Sequence, residues 1–324
     1  MGADFAIRTY RSANDFLVAC APALVATRSI SANFALTTTY ALEEHRNEQG
    51  MSGSGDDFWI SAILCCDDCP HDARPLFALA IIGNHAGRLA SSVDLKGLPP
   101  ARVSDAMHQL FLAAREANVA GTRIFGIMGP KALCEPFADA WGSAYGLRPK
   151  LIMDFALTHV TRTTLRPSTL SLASNVTLGL CSPADLGVAA AMSERATHPM
   201  DEPVPPPLDA AAAYVHAKKL IDGRHLYGAR VDGVLRSIVS ITRETPGVRA
   251  VSKAYTDPLV RGLGLAEALV RYALQRVFED GTVHSVCLFF EPSNPSAVRL
   301  YSKIGFTITA GENEDWAEVA WETH

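Results

Sequence analysis

Apolar and polar positions fall into two successive runs of the same kind of element. In the first, Asp57 to Cys65, Pro75 to Ile82 and Gly87 to Val93 read as strands of a meander, separated by polar or glycine-bearing turns. Pro100 then opens an apolar-periodic helix through about Asn118, Thr122 to Met128 reads as a buried strand, Pro130 to Tyr145 as a second helix, and Lys150 to Val160 as a closing strand. The Ser-, Thr- and Leu-rich stretch from Thr161 to Ser174 reads as a connection.

The second run starts with a strand from Val176 to Cys181. Ser182, Pro183 and Asp185 follow as a cap, a proline at the first helical position and an acid at the third, starting a helix that runs to about Ala196. After a proline-rich break from Pro199 to Pro207, Asp209 to Ile221 is helical, and turns at Gly223 and Asp232-Gly233 frame strands Leu226 to Val231 and Val234 to Thr242. Gly247 turns the chain into a strand ending at Tyr255. A helix from about Gly264, a strand carrying Leu288 to Phe290, a helix after Asn294 and terminal strands from Thr307 to Trp321 complete the run. The sum is an α+β fold of two domains, residues 1–165 and 166–324, each a mixed, mostly antiparallel twisted sheet flanked by helices.

Composition removes several classes. The 324 residues suffice for two packed cores, nearly half of them being apolar. A net charge of -5 leaves no basic footprint for nucleic acid. Apolar runs such as Leu76 to Ile82 fall far short of the ~20 residues that cross a bilayer, so no membrane partner is expected. Seven unevenly placed cysteines fit reduced thiols, and a cytoplasmic location follows as the expectation. The cluster Cys65-Cys66-Asp67-Asp68-Cys69 with His71 lacks the second ligand pair of a structural zinc site and reads as a loop ending a strand; no metal is expected.

Chemistry concentrates between Arg249 and Phe306. A strand ends at Ala254-Tyr255-Thr256, and a turn through Arg261-Gly262-Leu263-Gly264-Leu265-Ala266 runs into a helix. Glycines at 262 and 264 let the main chain approach a ligand without a Cβ in the way, and the helix start offers free N–H groups and the positive end of a dipole. That is a site for a pyrophosphate, with Arg261 placed to add a charge-assisted contact.

With the following segment, Glu291 to Phe306, the pattern resembles the GCN5-related N-acetyltransferases (GNAT), in particular tandem members whose C-terminal half carries the working coenzyme site. Arg261, Gly264 and Ala266 meet the family's Gln/Arg-x-x-Gly-x-Gly/Ala signature, and Asn294, Ala297, Tyr301 and Gly305-Phe306 meet its Asn-x-x-Ala-x-x-x-Tyr-x-x-x-Gly-Phe region. The resemblance covers roughly Val176 to Trp321 well and the first half only in element order. It implies acetyl-CoA as co-substrate, with the strand ending at Ala254-Tyr255-Thr256 splayed from the one carrying Leu288 to Phe290, so that the pantetheine arm pairs with exposed backbone as an added strand. It also implies Tyr301 as general acid toward the leaving thiolate: a phenol of ordinary pKa ~10 holds its proton at neutral pH. Asn294 contacts the coenzyme or caps its helix, two compatible roles.

A base must take a proton from the acceptor amine, and Glu291, at the end of a strand beside the proposed cleft, is the candidate ahead of Glu244, His225 and His284. The acceptor is expected to be a small-molecule amine, with Asp201 and Glu202 in the loop Thr197 to Leu208 favouring a cation. A noncatalytic acyl-CoA-binding or regulatory module on the same fold is the alternative. In the first half, Asp94-Leu95-Lys96-Gly97-Leu98-Pro99-Pro100 stands where the glycine turn should be, with two prolines lacking N–H and an acid that repels phosphate. Trp141 stands near the place of the tyrosine, in a stripe that reads as core. That half is read as a degenerate copy, packed on the active one and walling part of the acceptor pocket.

Overall fold

The computed structural model describes residues 5–49, 57–64, 75–83, 85–118, 124–196, 209–279, 281–309 and 313–322. The Cys65–Cys69 cluster with His71, and the loop Thr197 to Leu208, lie outside these. Contacts divide the chain into two units, Met1–Ala156 with Glu314–His324, and Leu157–Asn313.

The first unit carries β1 (Phe5–Tyr10), α1 (Ala13–Gln49), β2 (Phe58–Leu64), β3 (Pro75–Ile81), β4 (Gly87–Ser91), α2 (Pro100–Ala117), β5 (Gly126–Pro130) and α3 (Lys131–Tyr145). β6 (Arg148–Thr161) leads out of it, so that Leu157–Thr161 already belong to the second unit. β3 shows why this sheet forms. Its run PLFALAI has no polar face; Phe77, Leu79 and Ile81 join the core under α2 and α3, while Ala78 and Ala80 pack on the α1 side. The two-residue period of a strand thus feeds two cores. Trp141 lies at the centre of the first of them, fully buried against Phe137 and Phe111.

The second unit continues with β7 (Val176–Leu180), α4 (Leu186–Arg195), α5 (Ala210–Asp222), β8 (Leu226–Val231), β9 (Val234–Thr245), β10 (Val248–Thr256), α6 (Leu265–Glu279), β11 (Ser285–Phe290) and α7 (Pro295–Ile304). Its strand order is β11-β10-β9-β8-β7, antiparallel except for β10 beside β11. Ser182 and Asp185 form the expected capping pair, the Ser182 N–H donating to Asp185 Oδ2 at 2.7 Å, but the first turn is 3-10 and the α-helix starts at Leu186.

Two sequence expectations are corrected. The strand read from Thr122 to Met128 is β5, starting at Gly126: Ile124 and Phe125 precede it outside the strand, and Thr122 and Arg123 lie outside the described residues. Among the described residues the terminal strand is single, β12 (Glu314–Glu322), and it belongs to the first unit, where Trp316 to Ala320 pair antiparallel with Pro130 to Gly126. A fully buried Trp316 and a Cys134 Sγ–H bond to Ala317 O at 3.5 Å fix it there. By contacts the units divide at Ala156/Leu157, and Glu314–His324 fall in the first. Among the described residues no helix is long and apolar enough to cross a membrane.

Candidate functional site

Three local structures of the second unit build one cleft. The first is a parting of strands. β10 and β11 pair only from Val248–Ala250 to Ser285–Cys287, although β10 runs on to Thr256 and β11 to Phe290. From Val251 onward the side of β10 that faced β11 leaves backbone groups without a strand partner, an edge that an extended, amide-bearing ligand can join. A bulge marks the departure: Ser252 is the extra residue between the pairs Val251–Ile241 and Lys253–Ser240. Its Oγ is held by the Thr242 hydroxyl at 2.8 Å and lies 2.9 Å from Ser240 Oγ.

The second is the turn after β10. Asp257 Oδ1 accepts the Leu259 N–H at 3.0 Å and Oδ2 accepts from the Arg236 guanidinium at 2.6 Å. The Leu259 bond first, and Arg236 after it, hold this carboxyl below the usual range. Gly262 and Gly264 take φ of +83° and +76°, and the N–H groups of Gly262 to Glu267 find no acceptor among the described residues. Free N–H groups at the positive end of α6 form an anion site. Left-handed backbone favours glycine at both positions; at 264 a Cβ would in addition press on Leu170 Cδ1 at 3.1 Å, whereas at 262 it would meet free space. Arg261 is exposed and donates to Thr256 O at 3.2 Å, which folds it back over the strand end.

The third is α7. Asn294 Oδ1 accepts from the N–H groups of Ser296 (3.2 Å) and Ala297 (3.1 Å), so this side chain is the N-cap. Tyr301 sits in the last turn, its ring edge-on to Phe306 at 5.4 Å between centroids. Its hydroxyl has no hydrogen-bond partner among the described residues, and burial pushes its pKa up to about 12.

Together these enclose a cleft of about 590 Å³, within the usual range of ligand pockets. All the residues expected to hold the coenzyme line it except Leu263, whose side chain is largely exposed (63 %). Tyr301 lines it as well. Glu291 does not: it follows β11 at the open end of the splay with an exposed side chain. Glu244 is engaged by Arg249 at 2.5 Å, and His284 packs against Gly247. Glu267 and Arg271, a buried ion pair at 2.9 Å, escaped the sequence reading although their four-residue spacing on one helix was visible; Glu267 lines the cleft. Lys253 was missed too. It donates to Ser193 O at 3.2 Å, and burial holds its pKa below the ordinary lysine value.

The corresponding place in the first unit is narrowed by a close backbone approach. β4 and β5 are parallel and stay in contact past Arg88–Met128, with Gly129 so close that a Cβ would lie 2.8 Å from Leu89 O. The turn that follows is a 3-10 turn, Leu95–Gly97, and Pro99 and Pro100 start the next helix without N–H groups to offer.

A splayed parallel pair, a glycine turn at a helix start and a capped helix carrying a tyrosine thus line one cleft. Residues 191–306, from α4 to Phe306, match the acetyltransferase (GNAT) family, and this stretch is a GNAT acetyltransferase domain. A kanamycin resistance protein from Rhizobium radiobacter is 36% identical over 61 residues, which are 19% of this chain and 56% of that protein. The GCN5-related N-acetyltransferase from Sphaerobacter thermophilus superposes with a TM-score of 0.57 at 15% identity, covering 97% of this chain and 94% of its own. A tandem GNAT protein from the clavulanic acid biosynthesis pathway gives 0.50 at 14% identity, with 98% of each chain covered. The fold is that of two tandem GNAT domains.

Proposed function

We propose that the chain is an acetyl-CoA-dependent N-acetyltransferase that moves an acetyl group to the primary amine of a small molecule by direct attack, with the cleft of the second unit as its active site. The observation that carries this reading is the convergence on one cleft of unpaired β10 edge, free N–H groups at α6 and the Tyr301 hydroxyl. Acetyl-CoA, when bound, supplies an activated thioester.

The chain's own residues divide the remaining work. The N–H groups of Gly262 to Glu267 and the Arg261 guanidinium receive the pyrophosphate, and Val251 to Thr256 orient the amide-bearing arm along their free edge. Tyr301 donates a hydrogen bond to the sulfur as negative charge grows on it. With the phenol at about 12, outright transfer to a thiolate of ordinary pKa ~8.5 costs roughly 5 kcal/mol. Donation therefore precedes transfer, which completes once the same dry surroundings have raised the thiol. Glu291 takes the amine's proton through water at the mouth of the splay, since its carboxylate stays outside the cleft. A small amine as acceptor is supported by the partial match to a protein named for kanamycin resistance, kanamycin being a small molecule with amino groups. The first unit, narrowed at Gly129, binds no coenzyme. A noncatalytic acyl-CoA-binding module would keep the same cleft; turnover separates the two. Thiol release from acetyl-CoA, followed across a panel of small amines with the full chain, tests the proposal: release dependent on one amine class supports it, whereas binding without release for any amine or peptide points to the binding module.

A further inference from the structure

The last four carbonyls of a helix lack intrahelical partners, and a ten-residue helix such as α7 holds its end poorly by itself. Here every one of the four is satisfied. Tyr301 O accepts from Gly305 N (3.2 Å) and Phe306 N (3.0 Å), and Ser302 O from Gly305 N (3.2 Å). Lys303 O accepts from Arg271 Nη2 at 2.6 Å, and Ile304 O from Arg166 N at 2.9 Å with Arg271 Nη1 at 3.5 Å. Arg271 Nη1 also donates to Arg166 O. One guanidinium thus ties α6, the end of α7 and the connecting segment. Its own orientation is set by Glu267, whose Oε1 accepts from Nη2 at 2.9 Å and from Nε at 3.3 Å. Arg271 is 5% exposed and Glu267 8%, so the pair is nearly dry. Glu267 stands in the first turn of α6, beside the free N–H groups, and Tyr301 stands in the turn of α7 that Arg271 clamps.

We infer that Arg271, oriented by Glu267, is a positioning residue that fixes the Tyr301 hydroxyl relative to the anion site at the start of α6. This rests on the proposed N-acetyltransferase reading only for its consequence in turnover. The planar fork of arginine meets three carbonyls and a carboxylate at once, which a lysine ammonium on the same helix cannot reproduce. Glu267 itself adds a longer contact, its Oε2 lying 4.0 Å from Lys303 Nζ, whereas Arg276 is exposed and bonds Glu279.

The test uses the full chain labelled with 3-fluorotyrosine, the Tyr301 fluorine resonance being assigned by its loss in Tyr301→Phe. Arg271→Lys is expected to move that resonance and to lower kcat by about tenfold to a hundredfold while the acetyl-CoA Kd from calorimetry stays within about threefold, the pattern of a displaced catalytic group in an intact binding site. Arg276→Lys is the control and leaves the resonance in place. An unmoved Tyr301 resonance in Arg271→Lys overturns the inference, as does a moved resonance with unchanged kcat. A wild-type chain that does not bind acetyl-CoA sinks the proposed function instead, and the fluorine comparison still reads whether Arg271 sets the ring. If Arg271→Lys loses its folded spectrum, Glu267→Gln, which keeps the carbonyl contacts but loosens the fork, carries the same comparison.

Discussion

Replacing Tyr301 with phenylalanine removes one oxygen from the cleft and leaves the ring contact with Phe306 intact. No protein hydrogen bond is lost with it, because the hydroxyl has no partner among the described residues. The change should therefore be silent in stability and visible only in chemistry. The magnitude follows from the pKa of about 12: a phenol so weakly acidic stabilises a growing thiolate by a hydrogen bond to charge, worth about 1.5–3 kcal/mol. That converts to a fall in kcat of roughly 10–150-fold, below the ~10⁴-fold upper end for complete general acid catalysis. Acetyl-CoA affinity should hold within about threefold, since the sulfur is uncharged in the ground state. A raised value also means the protonated form persists, so phenol ionisation should give no basic limb in the kcat profile of the wild type below about pH 10. Steady-state kinetics over pH with calorimetric Kd values measure all three quantities. A kcat within about twofold of wild type removes Tyr301 from the chemistry, and a collapsed Kd makes it a binding residue.

Other outcomes are expected elsewhere. Gly305→Ala, with φ at +112° and a Cβ 2.0 Å from Thr164 O, should destabilise by about 3 kcal/mol or more, whereas Gly262→Ala, strained in φ but open in space, should cost about 1 kcal/mol; equal shifts of the urea midpoint would show that the Thr164 contact does not matter. Asp185, bonded to Arg230 at 2.5 Å, overcomes the opposing effect of burial and holds its proton less tightly than an ordinary carboxyl. A depressed carboxyl stabilises the fold above its unfolded value, near 3.8, and loses this as pH falls through the folded one. The stability gap between wild type and Asp185→Asn should accordingly be flat from about pH 7 to 5 and close below about pH 4, and a gap unchanged in acid refutes the linkage. Glu291→Gln, altering an exposed carboxylate that acts through water, should reduce kcat by no more than about tenfold. Calorimetry with acetyl-CoA should return one site per chain, and two would contradict the narrowing seen at Gly129.

The parts legible in the sequence are those whose causes are local. Asn294 caps α7 because its side chain reaches N–H groups two and three residues on, and the turn at 262–264 shows in its glycines because positive φ is a property of single residues. The placement of β12 is different in kind: nothing within Glu314 to Glu322 names Gly126 to Pro130 as its partner, nearly two hundred residues earlier, so a strand read correctly as a strand was assigned to the wrong unit. The helix α1 went unread because its β-branched residues and Pro22 obscure a single apolar stripe. Arg271 acts on backbone carbonyls, which every residue has, so no choice of residue at 303 or 304 betrays the contact.

The two units show how one element order gives a cleft in one case and a close backbone approach in the other. Parting β10 from β11 leaves backbone groups without strand partners, and each costs about 1–3 kcal/mol if buried dry. The second unit keeps them at an open cleft, after a bulge whose extra residue, Ser252, is itself exposed and bonded by Thr242. In the first unit Gly129 allows the opposite solution, a backbone approach to Leu89 that no side chain would permit. The following turns agree with each choice: glycines with free N–H groups beside the open pair, prolines without them beside the close one. Strand register and turn composition are therefore selected together, and a unit that lost either would have little use for the other.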